Sequence, residues 1–406
     1  MIDFELPPAL KMIKDFAHGV GRDTFRPIAR KYDEEEHTTA EEIAFLGPIM
    51  AQRGTERRKK QRGQEEEPKK PKAPRAETED RVGATMTGVV GSEEFCWGDS
   101  GLLLAIPGNG LGNAAIAAVA TPEQDERFGG RFAAMAITEP GSGSDSGSIS
   151  TTAVLDGDEW VVNGEKIFVT DGKQCDIVVV WATVDKSAGK AGIKSFVVEK
   201  DRPGVTVTKL EHKLGIRASD TASIVFEDVR IPKDNILGSP EVKTKTEGFK
   251  GVMKTFDNTR PMVGAMALGV ARAAFEFTKG KLEEEGFQFR YGLNKHQLGA
   301  IEREVLFMEA ELEAVRLLIW RAAWMGDNAR ANAKEASMSK AKAGRMGSEI
   351  TRRCVALLGP LGYSREWLVE KWARDCKIND IYEGTQQVQQ LVVARNVLGF
   401  SSSQLK

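Results

Sequence analysis

Cysteine and histidine are scarce in this sequence, and both are widely dispersed. Cys96, Cys175, Cys354 and Cys376 form no C-x-x-C pair, and His18, His37, His212 and His296 lie equally far apart. That spacing argues against a disulfide framework and against a zinc motif, so the expectation is a reduced, cytoplasmic protein with no metal centre. An excess of charge of either sign is also missing. The formal net charge of -2 from 57 basic and 59 acidic residues argues against a general binder of nucleic acid. No apolar run is long enough to cross a bilayer. The opening MIDFELPPALKMIKDF carries acids and Pro-Pro where a signal peptide has a basic start and an apolar run. What is present is ample core material: 41% of 406 residues are hydrophobic, enough for two or three domains.

The pattern of that material divides the chain into three zones and predicts an α+β fold. Residues 1–130 read as an N-terminal α-helical domain. In its first helix, Leu10, Ile13, Phe16, Ala17 and Val20 recur at three- and four-residue spacing. A charged insert, about 52–80, interrupts this zone; it is rich in Lys, Arg, Glu and Pro, and too poor in large apolar residues to bury a core, which predicts a mobile excursion. Residues 131–240 switch to short alternating runs bounded by Asp-Gly, Asn-Gly and Pro-Gly turns, the signature of a middle antiparallel β-domain. From 241 to 406 the helical period returns over long stretches, predicting a C-terminal four-helix bundle.

Four stretches carry side chains capable of chemistry. AITEPGSGSD, Ala136 to Asp145, is a Gly/Ser-rich turn, or else a loop whose Thr138 and Ser144 hydroxyls and open N–H groups meet a polar ring edge or phosphates. It is not a dinucleotide fingerprint, because G-x-G-x-x-G is absent and no βαβ unit follows. EKIFVTDG, Glu165 to Gly172, is a hairpin strand with Phe168 in the core, or a face on which Phe168 and Thr170 receive a flat cofactor. FDNTRP, Phe256 to Pro261, sets Arg260 at a predicted helix start, as a solvated charge or as a clamp on an anionic partner. In NDIYEGTQQVQQ, from Asn379, Glu383 is either a helix cap or a base facing a pocket.

Together with HQL, these stretches resemble the acyl-CoA dehydrogenases, with the motifs in the family's order and at similar intervals. The resemblance covers about Val82 to the C-terminus plus the first N-terminal helices. It implies an FAD enzyme that forms a trans-2,3 double bond in an acyl-CoA and passes the electrons to an electron-transfer flavoprotein. Glu383 matches the catalytic base, with Arg260 beside it in the catalytic group. Ile137 and Thr138 match flavin contacts, Phe168 the ring that covers the flavin, and Thr170 the partner of flavin N5. Thr385 and Gln387 match contacts to the FAD phosphates, and Phe289 and Gln297 belong to the cofactor motif around HQ. Ser144, Asp257 and Arg260 fall where the family contacts the CoA moiety. Ser144 also lies in the flavin loop, and Phe256, Tyr382 and Gly384 complete the substrate side.

Two departures from the family's pattern concern what one subunit gives to its neighbour's flavin. Gly286 stands where an Arg reaching the pyrophosphate is expected, and Ala356 replaces the Gln of a Q-x-x-G-G-x-G loop. The implied assembly is a hetero-oligomer with a related subunit that supplies both contacts, or a homotetramer in which Arg290 replaces the lost Arg. The alternative activity is that of an acyl-CoA oxidase, reoxidised by oxygen. A non-catalytic relative binding nucleic acid through RRKKQR is a third reading, against which Glu383, Arg260 and the near-neutral charge all count.

Overall fold

The structure, a computed structural model, describes residues 5–37, 40–49, 82–108, 111–242, 247–401 and 404, and for 247–258 only the helical backbone. The charged insert at 52–80 lies outside the described residues, as do the side chains of Phe256 and Asp257.

The N-terminal helices are α1 (Pro8–Val20), α2 (Arg26–Glu35), α3 (Ala84–Gly98), α4 (Ser100–Leu104), α5 (Gly112–Val119) and α6 (Pro122–Phe128). Pro8 opens α1, where its missing N–H is no loss. Of the predicted stripe, Leu10 and Ala17 are buried, whereas Phe16 is exposed and meets Phe95 edge-on. A π-helical turn, Gly21–Phe25, joins α1 to α2.

The middle of the chain forms a seven-stranded sheet: β1 (Ala133–Ala136), β2 (Thr152–Asp156), β3 (Glu159–Thr170), β4 (Ile177–Thr183), β5 (Ile193–Glu199), β6 (Val205–Leu210) and β7 (Thr221–Pro232). The strands run in the order β1-β4-β2-β3-β7-β6, with β5 also on β4. Of the predicted turns, Asp156-Gly157 joins the antiparallel pair β2–β3, whereas Asn163-Gly164 lies inside β3 and Pro203-Gly204 joins β5 to β6, which do not pair. The pairs β4–β5, β6–β7 and β3–β7 are antiparallel as well. β1 departs from this pattern and lies parallel to β4, since the chain makes the β2–β3 hairpin before returning beside it. β4 is buried on both faces. Val178, Val180 and Ala182 enter one core with Val162 and Phe226, while Ile177, Val179 and Trp181 enter a second with Ile116 of α5 and Phe128 of α6.

The C-terminal part holds α7 (Glu247–Glu284), α8 (Ala300–Asp327), α9 (Ala333–Leu358), α10 (Pro360–Tyr363), α11 (Val369–Cys376) and α12 (Gln386–Leu398). Pro261 does not open α7, as its sequence suggests, but lies inside it. An interior Pro forfeits a helical hydrogen bond. The apolar run that follows, with Val263, Leu268, Val270 and Phe275 all buried, supplies packing that outweighs the loss. α3 packs on α7 and α8, so one apolar core contains Phe95 and Trp97 together with Leu268, Met308, Val315 and Ile350. Charges cross the same junction: Arg272 of α7 bonds Glu93 and Glu94 of α3, and Arg316 of α8 bonds Glu93 at 2.9 Å. Among the described residues, no helix is long and apolar enough to cross a membrane.

Candidate active site

Glu383 sits in a turn between α11 and α12, three residues before the first residue of the helix that its sequence suggests it opens. The cap is Thr385, whose Oγ1 accepts from the N–H of Val388 at 3.3 Å. Glu383 has φ 53 and Gly384 φ 92, both in the left-handed region. A glutamate pays a steric penalty there that a glycine escapes. Two buried side chains hold the turn. Lys340 of α9 donates Nζ to the carbonyl of Gly384 at 2.6 Å, and Gln389 donates Nε2 to the carbonyls of Glu383 and Gly384 at 3.2 Å each. Lys340 reaches this point because α9 comes close at Gly344, where a Cβ would lie 2.6 Å from the carbonyl oxygen of Asn379.

The Glu383 carboxylate accepts a hydrogen bond from Thr259 Oγ1 at 2.6 Å. Burial raises its pKa, and the hydrogen bond from Thr259 and the positive charges of Lys340 and Arg260 only partly reverse that, leaving it above the ordinary value. Arg260 is therefore not a solvated charge: it is 3% exposed, close enough to act on Glu383, and within 3.4 Å of Ser337 Oγ. Burial lowers Lys340 to about 8 against the pull of Asp380 and Glu383. Tyr382 donates its hydroxyl to Asn379 Oδ1 at 2.8 Å, and burial lifts its pKa well above the usual range.

A second group of predicted residues gathers on the sheet. Lys166 of β3 and Glu139 of the Gly/Ser loop are both buried and form a 2.7 Å ion pair. Lys166 also donates to the carbonyl of Ile137 at 3.0 Å, and the N–H of Ile167 to the carbonyl of Thr138 at 2.9 Å. The loop is thus stapled to β3, with Ile137 and Thr138 beside the strand that carries Phe168 and Thr170. Burial opposes ionisation of Glu139, but hydrogen bonds from Lys166, Ser150 and Thr151 outweigh it and hold the carboxyl at about 2. Phe168 is not in the core: it is 60% exposed, with φ 56, at a β-bulge between Lys166 and Val169. The exposed Phe168 and the half-buried Thr170 flank the buried Val169. An exposed aromatic face held in a strained backbone beside hydroxyls fits a flat, polar-edged cofactor. Ser144 is exposed on the same loop.

Other predicted residues lie elsewhere. Phe289 packs against the helical core from the α7–α8 connection, and Gln297 is exposed there, its Oε1 accepting from the N–H of Asn294 at 3.1 Å. Gln387 is exposed on the first turn of α12. Gly286, at φ 90, ends α7: its N–H donates to the carbonyl of Glu283, and that of Phe287 to the carbonyl of Leu282, both at 3.0 Å. Arg290 is held by Glu302 through Nε at 3.0 Å and Nη2 at 2.8 Å. Ala356 borders a groove of about 460 Å³ lined by Arg303, Phe307, Arg352 and Arg353. Sequence reasoning missed Lys340, Gln389 and the Lys166–Glu139 pair. One signal was available for Lys340, which falls at helical spacing between Ala336 and Ala343, both on the buried face.

Two family models match the chain: the acyl-CoA dehydrogenase middle domain over residues 134–229 and the acyl-CoA dehydrogenase C-terminal domain over residues 246–398. The mitochondrial short-chain specific acyl-CoA dehydrogenase of Bos taurus is 34% identical over 97% of this chain and 91% of its own length. A subunit of the caffeyl-CoA reductase-Etf complex of Acetobacterium woodii is 39% identical over 78% of this chain and 83% of its own. Among solved structures, butyryl-CoA dehydrogenase from Megasphaera elsdenii matches with a TM-score of 0.83 at 30% identity, over 98% of this chain and 100% of that one.

Proposed function

We propose a mechanism for this chain from one premise: it belongs to the acyl-CoA dehydrogenase family, whose cofactor is FAD. It is an acyl-CoA dehydrogenase. In our reading Glu383 is the base that removes the α-proton of the thioester. The observation that carries this is its carboxylate, half-buried, raised in pKa and aimed by Thr259, in a turn held by Lys340 and Gln389. A raised pKa brings the base nearer to that of an acidified α-proton. The backbone N–H of Glu383 meets no backbone acceptor among the described residues, which leaves it for the thioester carbonyl, where charge develops. Ile137, Thr138, Phe168, Thr170, Thr385 and Gln387 would hold FAD, which when bound would supply an acceptor for the β-hydrogen that no side chain can provide. Ser144, Phe256, Asp257, Arg260, Tyr382 and Gly384 form the substrate side.

The substrate we assign is a short-chain acyl-CoA, in line with the names of the Bos taurus and Megasphaera elsdenii relatives. The electron acceptor we assign is an electron-transfer flavoprotein, in line with the Etf complex of the Acetobacterium woodii relative. Anaerobic titration with acyl-CoAs of increasing length, followed by flavin bleaching, tests both base and substrate. Glu383→Gln should retain FAD and ligand while bleaching slows by about 10²–10⁴-fold; bleaching at the normal rate would disprove the base.

A further inference from the structure

Dispersed histidines argued against a metal centre, yet the fold brings two of them to one carboxylate. Glu36 and His37 follow α2, and His212 lies in the loop between β6 and β7. The ligand-capable atoms of these three residues all lie within 4.8 Å of one another. Glu36 Oε2 is 3.0 Å from His212 Nδ1 and 3.5 Å from His37 Nε2. Donors placed about 2.0–2.1 Å from one tetrahedral zinc stand roughly 3.3 Å apart, so the observed separations bracket that edge.

A second observation is independent of those distances. Both ring nitrogens of His37 are buried, and neither makes a hydrogen bond of good geometry among the described residues, the groups beside the ring being the Glu36 carboxylate at 3.5 Å and the backbone of Ser219. Buried polar atoms are rarely left so, because each unsatisfied group is destabilising. Glu36 and His37 have φ of 51 and 50, two consecutive strained residues in a segment that carries no glycine. The surrounding cations do not fill the position. Arg217 bonds the other carboxylate oxygen, Oε1, and Lys213 donates Nζ to the carbonyl of Ser219 at 2.7 Å.

We propose that Glu36, His37 and His212 form a divalent-cation site of the zinc class. Two imidazoles and one carboxylate suit zinc better than the oxygen-seeking Mg²⁺ or Ca²⁺. The His212 side chain is 82% exposed, so the ion enters from solution and keeps an open coordination position. Bound there, it ties the end of α2 to a loop whose Ile216 N–H already donates to Asp375 Oδ1 of α11 at 2.6 Å. The site is a clamp between segments remote in sequence and is separate from the Glu383 turn.

The test is calorimetric titration of the chelator-treated, flavin-loaded protein with zinc chloride. One zinc per chain is expected. His212→Ala, an exposed replacement that leaves packing intact, should weaken binding by about tenfold or more, and His37→Gln likewise. His296→Ala, outside the cluster, should bind as the parent does. Zinc should raise the melting temperature of the parent and not of His212→Ala. No saturable binding, or binding that survives in His212→Ala, overturns the proposal.

Discussion

Thr259 shows how one hydroxyl tunes the proposed base. Its bond to Glu383 stabilises the carboxylate and pulls the pKa down against burial. A base must be ionised to act, so activity climbs as pH rises through that pKa. Thr259→Val removes the bond, raises the pKa further, and should move the acid limb of the kcat/KM profile to higher pH. A profile that stays in place would show that the hydroxyl serves packing alone. At this scale the stretch around Glu383 stood out because its motif is contiguous in sequence, and Gln389 lies within it, whereas Lys340 does not. Lys340 reaches the turn from α9, and only its helical spacing to Ala336 and Ala343 sets it apart in the sequence from a solvated lysine. His37 and His212 were unreadable as a pair for the same reason: only the fold makes them neighbours.

The Lys166–Glu139 staple belongs to the scale of the element, since it fixes the Gly/Ser loop against β3. Lys166→Met leaves Glu139 buried with only Ser150 and Thr151 as partners, and should destabilise the protein by about 3–5 kcal/mol in denaturant titration. The pH dependence follows from the carboxyl at about 2. Its folded pKa lies below the unfolded one, so its contribution is complete above the unfolded carboxylate pKa and is lost as pH falls through about 2. In Lys166→Met that pKa rises, and acid unfolding should begin at higher pH. The strands of this region were legible from alternation and, at Asp156-Gly157, from a turn, whereas Asn163-Gly164 proved to lie inside β3. The bulge at Phe168 was not, because nothing local marks a phenylalanine for a left-handed backbone. Pro261 misled for a related reason: the preference of proline for helix starts is real, and the packing of α7 overrode it.

For the whole molecule, we favour assembly with a related subunit over a homotetramer. Gly286 is committed to ending α7 and has no side chain to reach a neighbour's phosphate, Ala356 offers no amide, and Arg290 is taken by Glu302. The chain purified alone should therefore hold well under one FAD per subunit and recover flavin when the partner is added. Full occupancy with normal turnover would overturn the need for a partner and leave the homotetramer, with Arg290 in place of the lost Arg, as the alternative. The order helices, sheet, helices was plain from the change of hydrophobic period. That the first and last parts share one core was not, because periodicity shows that a face is buried and not what covers it.

That shared core bears on how the chain is made. Glu93 and Glu94 emerge from the ribosome long before Arg272 and Arg316, their partners in the finished protein. Until those arginines arrive, Glu94 has only Lys14 and His18 of α1 beside it and Glu93 has neither of its cations, so α3 cannot settle fully into its final seat. The amino-terminal third is thus synthesised first and completed last, waiting through translation of the entire sheet for the helices that neutralise it.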